Sequence, residues 1–91
     1  MKVKTPERGE VVQSLQGRDK GCYYVVTEVT AEGVTVVNGV TRKLSNPKKK
    51  NVKHLRLLPE SVLNEGIKYP WDKSFDDRVA YYLKKFDSDE R

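Results

Sequence analysis

Only one cysteine and one histidine occur in these 91 residues, and that scarcity removes whole classes of chemistry. A lone thiol, Cys22, cannot form an internal disulfide and has no second cysteine with which to share a metal, so it suits a reducing compartment and reads as a plain strand residue. There is no glycine-rich phosphate loop, no His/Cys cluster at metal spacing and no pair of carboxylates arranged for acid–base work. The expectation is a protein that is not an enzyme, with no catalytic residue, no metal and no cofactor. Long apolar runs are missing too. The longest, CYYVV from Cys22 to Val26, falls far short of the ~20 residues that cross a bilayer. The opening MKVKTPERGE carries positive charge with no apolar segment behind it, unlike a secretory signal. A cytoplasmic protein without membrane contact is expected. It should be one domain, because a chain of this length divided between two cores would bury too little in each.

Acid is the other thing in short supply, in one place. From Arg42 to Arg56 there are seven basic residues (Arg42, Lys43, Lys48, Lys49, Lys50, Lys53 and Arg56) and no carboxylate. Up to Leu58 the chain holds twelve Lys and Arg against five acids, and from Pro59 onward six against eight. The two parts therefore differ in job. Clustered cations without neutralising acids raise the local potential and attract polyanions, whereas scattered ones only aid solubility.

The basic part is punctuated as a small all-β unit, with Val-, Thr- and Tyr-rich runs separated by Gly, Asn and Pro. Glu10 to Leu15, Cys22 to Thr30 and Val34 to Val37 read as strands. Asn38-Gly39 between Val34–Val37 and VTRKL, Val40 to Leu44, is a strong type I′ hairpin signal and predicts a fourth strand there. A last run, His54 to Leu58, completes the sheet before Pro59 breaks it. An open sheet of this size would leave two edges exposed, which rolling it into a barrel avoids. The fold class expected is mainly β: a small SH3-like β-barrel of about five strands over residues 1–58, with a C-terminal α-helical extension over 59–91.

In that extension, Ser61 to Glu65 forms one helical turn ending at Gly66, and Tyr69-Pro70-Trp71 is extended or turned. A helix near 74–86 follows. Ser74 suits its N-cap, Asp76 and Asp77 its first turn, and Lys84-Lys85 its last. Phe75, Val79, Tyr82, Leu83 and Phe86 form one apolar stripe, which either packs on the chain's own barrel or docks on another protein. The terminal DSDER is expected to fray.

Two glycines bracket the first loop, Gly17-Arg18-Asp19-Lys20-Gly21; Asp19 suits the shaping of a turn while Arg18 and Lys20 point outward. The stretch GEVVQSLQGRDKGCYYVVTEV from Gly9 resembles the KOW motif. With VNGVTRKL and NPKKKNVKHL, the chain from about Gly9 to Leu58 is similar to the short stand-alone bacterial KOW proteins related to KOW-type large-subunit ribosomal proteins. That resemblance implies an SH3-like barrel and the binding of structured RNA, ribosomal or ribosome-associated. Its matching positions are the loop-shaping Gly17, Asp19 and Gly21 and the RNA-binding candidates Arg18, Lys20, Arg42, Lys43, Lys48, Lys49, Lys50, Asn51, Lys53 and His54. Pro47 stiffens the start of the lysine run, which reads as a polar loop holding its ammonium groups near phosphates. His54 serves either as a phosphate or base contact or as an ordinary strand-edge residue. Of the adjacent Tyr23 and Tyr24, one points inward and the other outward, where it either stacks on a base or packs. The extension matches no family pattern. A ribosomal or other protein partner through its helix is the alternative reading, that of an adaptor in transcription or translation, and the free protein is expected to be a monomer.

Overall fold

Three doubled valines organise the molecule: Val11-Val12, Val25-Val26 and Val36-Val37. Successive residues of a strand face opposite sides of a sheet, so each pair supplies one side chain to each face, and a strand built this way is stable only where both faces are covered. In the computed structural model, which describes residues 5–88, these pairs lie in β1 (Glu10–Ser14), β2 (Tyr23–Thr30) and β3 (Gly33–Val37). All six valines are fully buried. Cross-strand partners share a face, and the register aligns Val11 with Val25 and Val25 with Val37 on one side, and Val12 with Tyr24 and Val26 with Val36 on the other.

The sheet is antiparallel and five-stranded, in the order β4-β3-β2-β1-β5, with β4 spanning Lys48–Lys50 and β5 Leu55–Ser61. On its inner face Val12, Tyr24, Val26, Val34, Val36 and Leu55 form one core cluster. The sheet curls strongly round this cluster. Three strand spacings separate β4 from β1, about 14 Å in a flat sheet, yet Lys50 Nζ in β4 lies 3.1 Å from Ser14 Oγ at the end of β1. The curl stops short of hydrogen-bonded closure. β4 and β5 each pair on one side only, so the edges expected to be removed by a barrel remain.

The second cluster covers the outer face. Val11, Val25 and Val37 pack against Val62, Ile67 and four residues of helix α1 (Phe75–Ser88), namely Phe75, Val79, Leu83 and Phe86, with Tyr82 partly buried beside them. The apolar stripe of the helix thus packs on its own chain. Trp71 stacks on Phe75 with ring centres 4.4 Å apart and donates its indole N–H to Thr27 O at 3.3 Å. Arg8 bonds Glu28 and lies 4.1 Å above the Tyr69 ring. The extension whose Trp71 fits no family pattern is the lid of the sheet. None of the helices among the described residues is long and apolar enough to cross a membrane.

The local expectations for the extension are met in part. Ser61 caps the 3₁₀ turn Val62–Glu65, and Gly66 ends it. Ser74 O accepts the first helical amide, from Arg78, but its hydroxyl donates to Asp72 instead of capping the helix. Of the terminal DSDER, the helix runs to Ser88, while residues 89–91 lie outside the described residues.

Three strand expectations need correction. Val40 to Leu44 is not a strand. Asn38 Oδ1 accepts from the amides of Val40, Thr41 and Arg42 at 2.9 to 3.0 Å, which folds the turn on itself, and Leu44 N donates to Asp76 Oδ1 in α1 at 3.0 Å. Gly39 is required by the helix as well as by its φ of +80°, since a Cβ there would strike the Asp76 carbonyl and the Ala80 amide. The chain leaves the sheet here to bed α1. The fourth strand is instead the lysine run, read from sequence as a loop: Val36 pairs with Lys48 and Val34 with Lys50. A lysine-rich strand suits an edge because it discourages further pairing. Finally, β5 continues through Pro59 to Ser61. An edge strand tolerates the missing N–H, and the register shifts between Glu10 and Val12 opposite it.

Candidate nucleic-acid interface

Alternation along β4 separates the three lysines. Lys48 and Lys50 share the inner face with their partners Val36 and Val34, while Lys49 points away. The curl of the sheet then brings the β1–β2 loop over that inner face. Gly17 and Gly21 hold positive φ at its ends (92° and 93°), and Lys20 N to Gly17 O (3.2 Å) and Cys22 N to Asp19 O (2.9 Å) close it. Asp19 points inward as the hub. Its Oδ1 accepts from Ser14 Oγ at 2.9 Å and Lys50 Nζ at 3.3 Å, and its Oδ2 accepts from Tyr24 OH at 2.7 Å. Lys48 Nζ lies 3.4 Å from Oδ2.

The charges follow from these contacts. Burial works against ionisation of Asp19, but the hydrogen bonds from Tyr24, Ser14 and Lys50, and the Lys50 charge, outweigh it and hold the carboxyl well below the usual carboxylate range. Burial, then the bond to Asp19, push the Tyr24 phenol well above its ordinary value, and the charge of Arg42 tempers that rise. Lys50, with a side chain only 9% exposed, also donates to Gln16 O at 3.4 Å. It ties edge strand to loop.

The segment that lacks acid in sequence thus acquires it in space. Lys48 and Lys50 have Asp19, and Lys49 has Glu32 at 3.3 Å, an exposed pair. The structure brings Lys48 and Lys50 onto Asp19, whose chain neighbours are Arg18 and Lys20, while the Arg42 guanidinium bonds Asn46 Oδ1 at 3.4 Å. Arg18 and Lys20 are exposed on either side of Asp19. A second group gathers at the β2–β3 turn, where Asn51 and Lys53 share a small cleft with Glu32, close to Lys49. Asn51 has a structural task there, capping the 3₁₀ turn Val52–His54 by accepting from Lys53 N at 2.9 Å. His54 is half-buried, and its carbonyl accepts from Leu15 N at 2.9 Å. Lys43 is exposed in the turn after β3.

No family model matches the chain, and no curated protein matches it.

Two tyrosines are missing from the surface of this patch. Tyr24 is 4% exposed and its hydroxyl is bound to Asp19. Tyr23 turns to the helix side, 5.3 Å from the Phe86 ring. Neither offers a face to an unpaired base. Sequence reasoning missed Ser14 and Tyr24 as members of the network, although alternation from the buried Val12 and Val26 places both inward. It also missed Arg56, which donates to Gln13 Oε1 at 3.2 Å while Gln13 Nε2 donates to Gly21 O, bracing the loop.

Proposed function

We propose that this chain is a non-enzymatic module that binds structured RNA, of ribosomal or ribosome-associated kind, through the cations grouped round Asp19, as a relative of the KOW proteins its sequence resembles. The observation that carries this reading is the meeting of Lys48 and Lys50 with Asp19, a loop residue flanked by the exposed Arg18 and Lys20. Four cations against one carboxylate retain a positive potential, and the ties of Lys48 and Lys50 to Asp19 hold the loop against the edge strand. Fixed charge suits the phosphate spacing of a folded RNA, and the inward turn of Tyr24 suits recognition of backbone over unpaired bases. Because Lys50 is buried, the phosphate contacts fall to Arg18, Lys20, Arg42 and Lys48. Ser14 Oγ lies 3.1 Å from Lys50 Nζ, the juxtaposition of an activated serine, but Ser14 is 1% exposed and out of a substrate's reach. A protein partner docking through the helix would meet the outer side of α1, since the apolar stripe is buried against the chain's own sheet.

Titration of a labelled RNA hairpin at several salt concentrations tests the reading. Four contacts give a slope of log affinity against log salt of about 3, at roughly 0.7 to 0.9 per phosphate. Replacing Arg18 and Lys20 together with Ala lowers that slope by about 1.5 and leaves the melting temperature in place, since both side chains are exposed. Affinity indifferent to salt would rule the interface out.

A further inference from the structure

A groove of about 730 Å³ runs between the turn after β5 and helix α1, lined by Glu65, Ile67, Arg78, Tyr81, Tyr82 and Lys85 among others. It shares no residue with the patch round Asp19. Its chemistry is of three kinds, arranged in order. Tyr81 is 78% exposed, the most exposed of the chain's large apolar side chains among the described residues. It follows Arg78 by three positions, so the two are neighbours on the helix surface. Lys85 lies 4.8 Å from the Tyr82 ring and 5.4 Å from that of Phe86, which fixes the ammonium at the C-terminal end of the groove, where Lys84 also contributes. Carboxylates line the same groove: Glu65 and Asp77 belong to its wall, and burial, Glu65 and Glu60 together raise the Tyr82 phenol. One buried oxygen of Glu60, Oε1, has no hydrogen-bond partner.

An exposed aromatic face, cations and carboxylate acceptors suit a ligand with a π-face, an anionic group and N–H donors in one unit. A nucleotide has all three. An acidic peptide would match the cations and meet repulsion from Glu65 and Asp77, whereas a nucleobase can donate to them. We propose that the groove takes an unpaired nucleotide of a single-stranded RNA segment, with its base stacked on Tyr81, its phosphates against Arg78, Lys84 and Lys85, and the amino edge of the base donating to Glu65. Single-strand sites combine a stacking platform with cations along the backbone in this way. The proposal goes beyond the patch for structured RNA and does not depend on it.

Binding of a short labelled single strand and of an RNA hairpin is measured for the wild-type chain, Tyr81→Ala, Tyr81→Phe and the Arg18→Ala/Lys20→Ala pair, each with a thermal melt. Tyr81→Ala lowers single-strand affinity by about five- to 150-fold, the loss of one stacked base. Tyr81→Phe keeps most of it, neither change moves the melt, and hairpin binding stays as it was. The proposal is overturned if the wild-type chain does not bind the single strand, or if Tyr81→Ala binds it as well as wild type does. Equal loss of strand and hairpin in Tyr81→Ala overturns it too, because both would then share one polyanion surface. Binding of adenosine monophosphate as tight as that of the strand would make a free nucleotide the ligand and would also overturn it. Failure of the Asp19 patch registers separately, as unchanged hairpin binding in Arg18→Ala/Lys20→Ala.

Discussion

Adjacent lysines of β4 should respond to the same substitution to very different extents. Lys50 and Asp19 have side chains 9% and 13% exposed, and the ammonium donates to Ser14, Gln16 and Asp19 within 3.4 Å. Lys50→Glu removes those donors and sets a second carboxylate against Asp19. Breaking a buried pair by removing one partner costs about 3 to 5 kcal/mol, a large part of the stability of a domain this size. Lys49 and Glu32 are 64% and 80% exposed, and an exposed pair of this kind contributes below about 1 kcal/mol after solvent screening. At roughly 4 to 8 °C per kcal/mol for a small domain, Lys50→Glu should lower the melting temperature by at least about 12 °C and Lys49→Glu by no more than about 8 °C. Circular dichroism melts of the two variants at neutral pH decide the matter. Equal melting temperatures would refute the inward placement of Lys50. The same reasoning bears on RNA binding, since a change of all three lysines at once would destabilise the fold as well as alter the interface.

The remaining predictions concern acid, truncation and one turn. The Asp19 carboxyl is held below its usual range when folded, so its contribution is full above the unfolded value of about 3.9 and is lost as pH falls from there toward the folded value. Melts taken from pH 6 to pH 2 should fall less steeply for Asp19→Asn, which starts lower, than for wild type. Cutting the chain after Leu58 strips Val62, Ile67, Phe75, Val79, Leu83 and Phe86 from the outer cluster. At about 1.5 to 3 kcal/mol for each buried side chain, that loss matches or exceeds the net stability of about 5 to 15 kcal/mol, and the fragment should show no cooperative melt by calorimetry. Gly39→Ala places a Cβ at φ +80° against the α1 backbone and should cost more than about 1 kcal/mol, read as a lower urea midpoint with unchanged slope.

What the sequence determined by itself is whatever depends on neighbours along the chain. Val-, Thr- and Tyr-rich runs bounded by Gly, Asn and Pro located β1, β2 and β3, the stretch Ser61 to Gly66 located the 3₁₀ turn, and the stripe from Phe75 to Phe86 located α1, because each signal is contained in a few consecutive residues. The loop role of Gly17 and Gly21 was legible for the same reason. Tertiary structure decided the rest, and wherever the two disagree a distant group intervened. Asn38-Gly39 is a hairpin signal on its own, but helix α1 needs a surface close to Gly39, and its Asp76 takes the Leu44 amide. The run Lys48–Lys50 has poor strand character, but β3 offers an unpaired edge, and a row of backbone donors and acceptors outweighs side-chain preference. Pro59 ends strands that need an amide on both sides, and β5 does not. The basic segment is free of acid only along the chain: the curl of the sheet carries Asp19 across to Lys48 and Lys50, more than 25 residues away in sequence. Charge is counted along the chain, but potential is set in space, so which of these lysines stay exposed and which are buried against Asp19 was a question only the fold could decide.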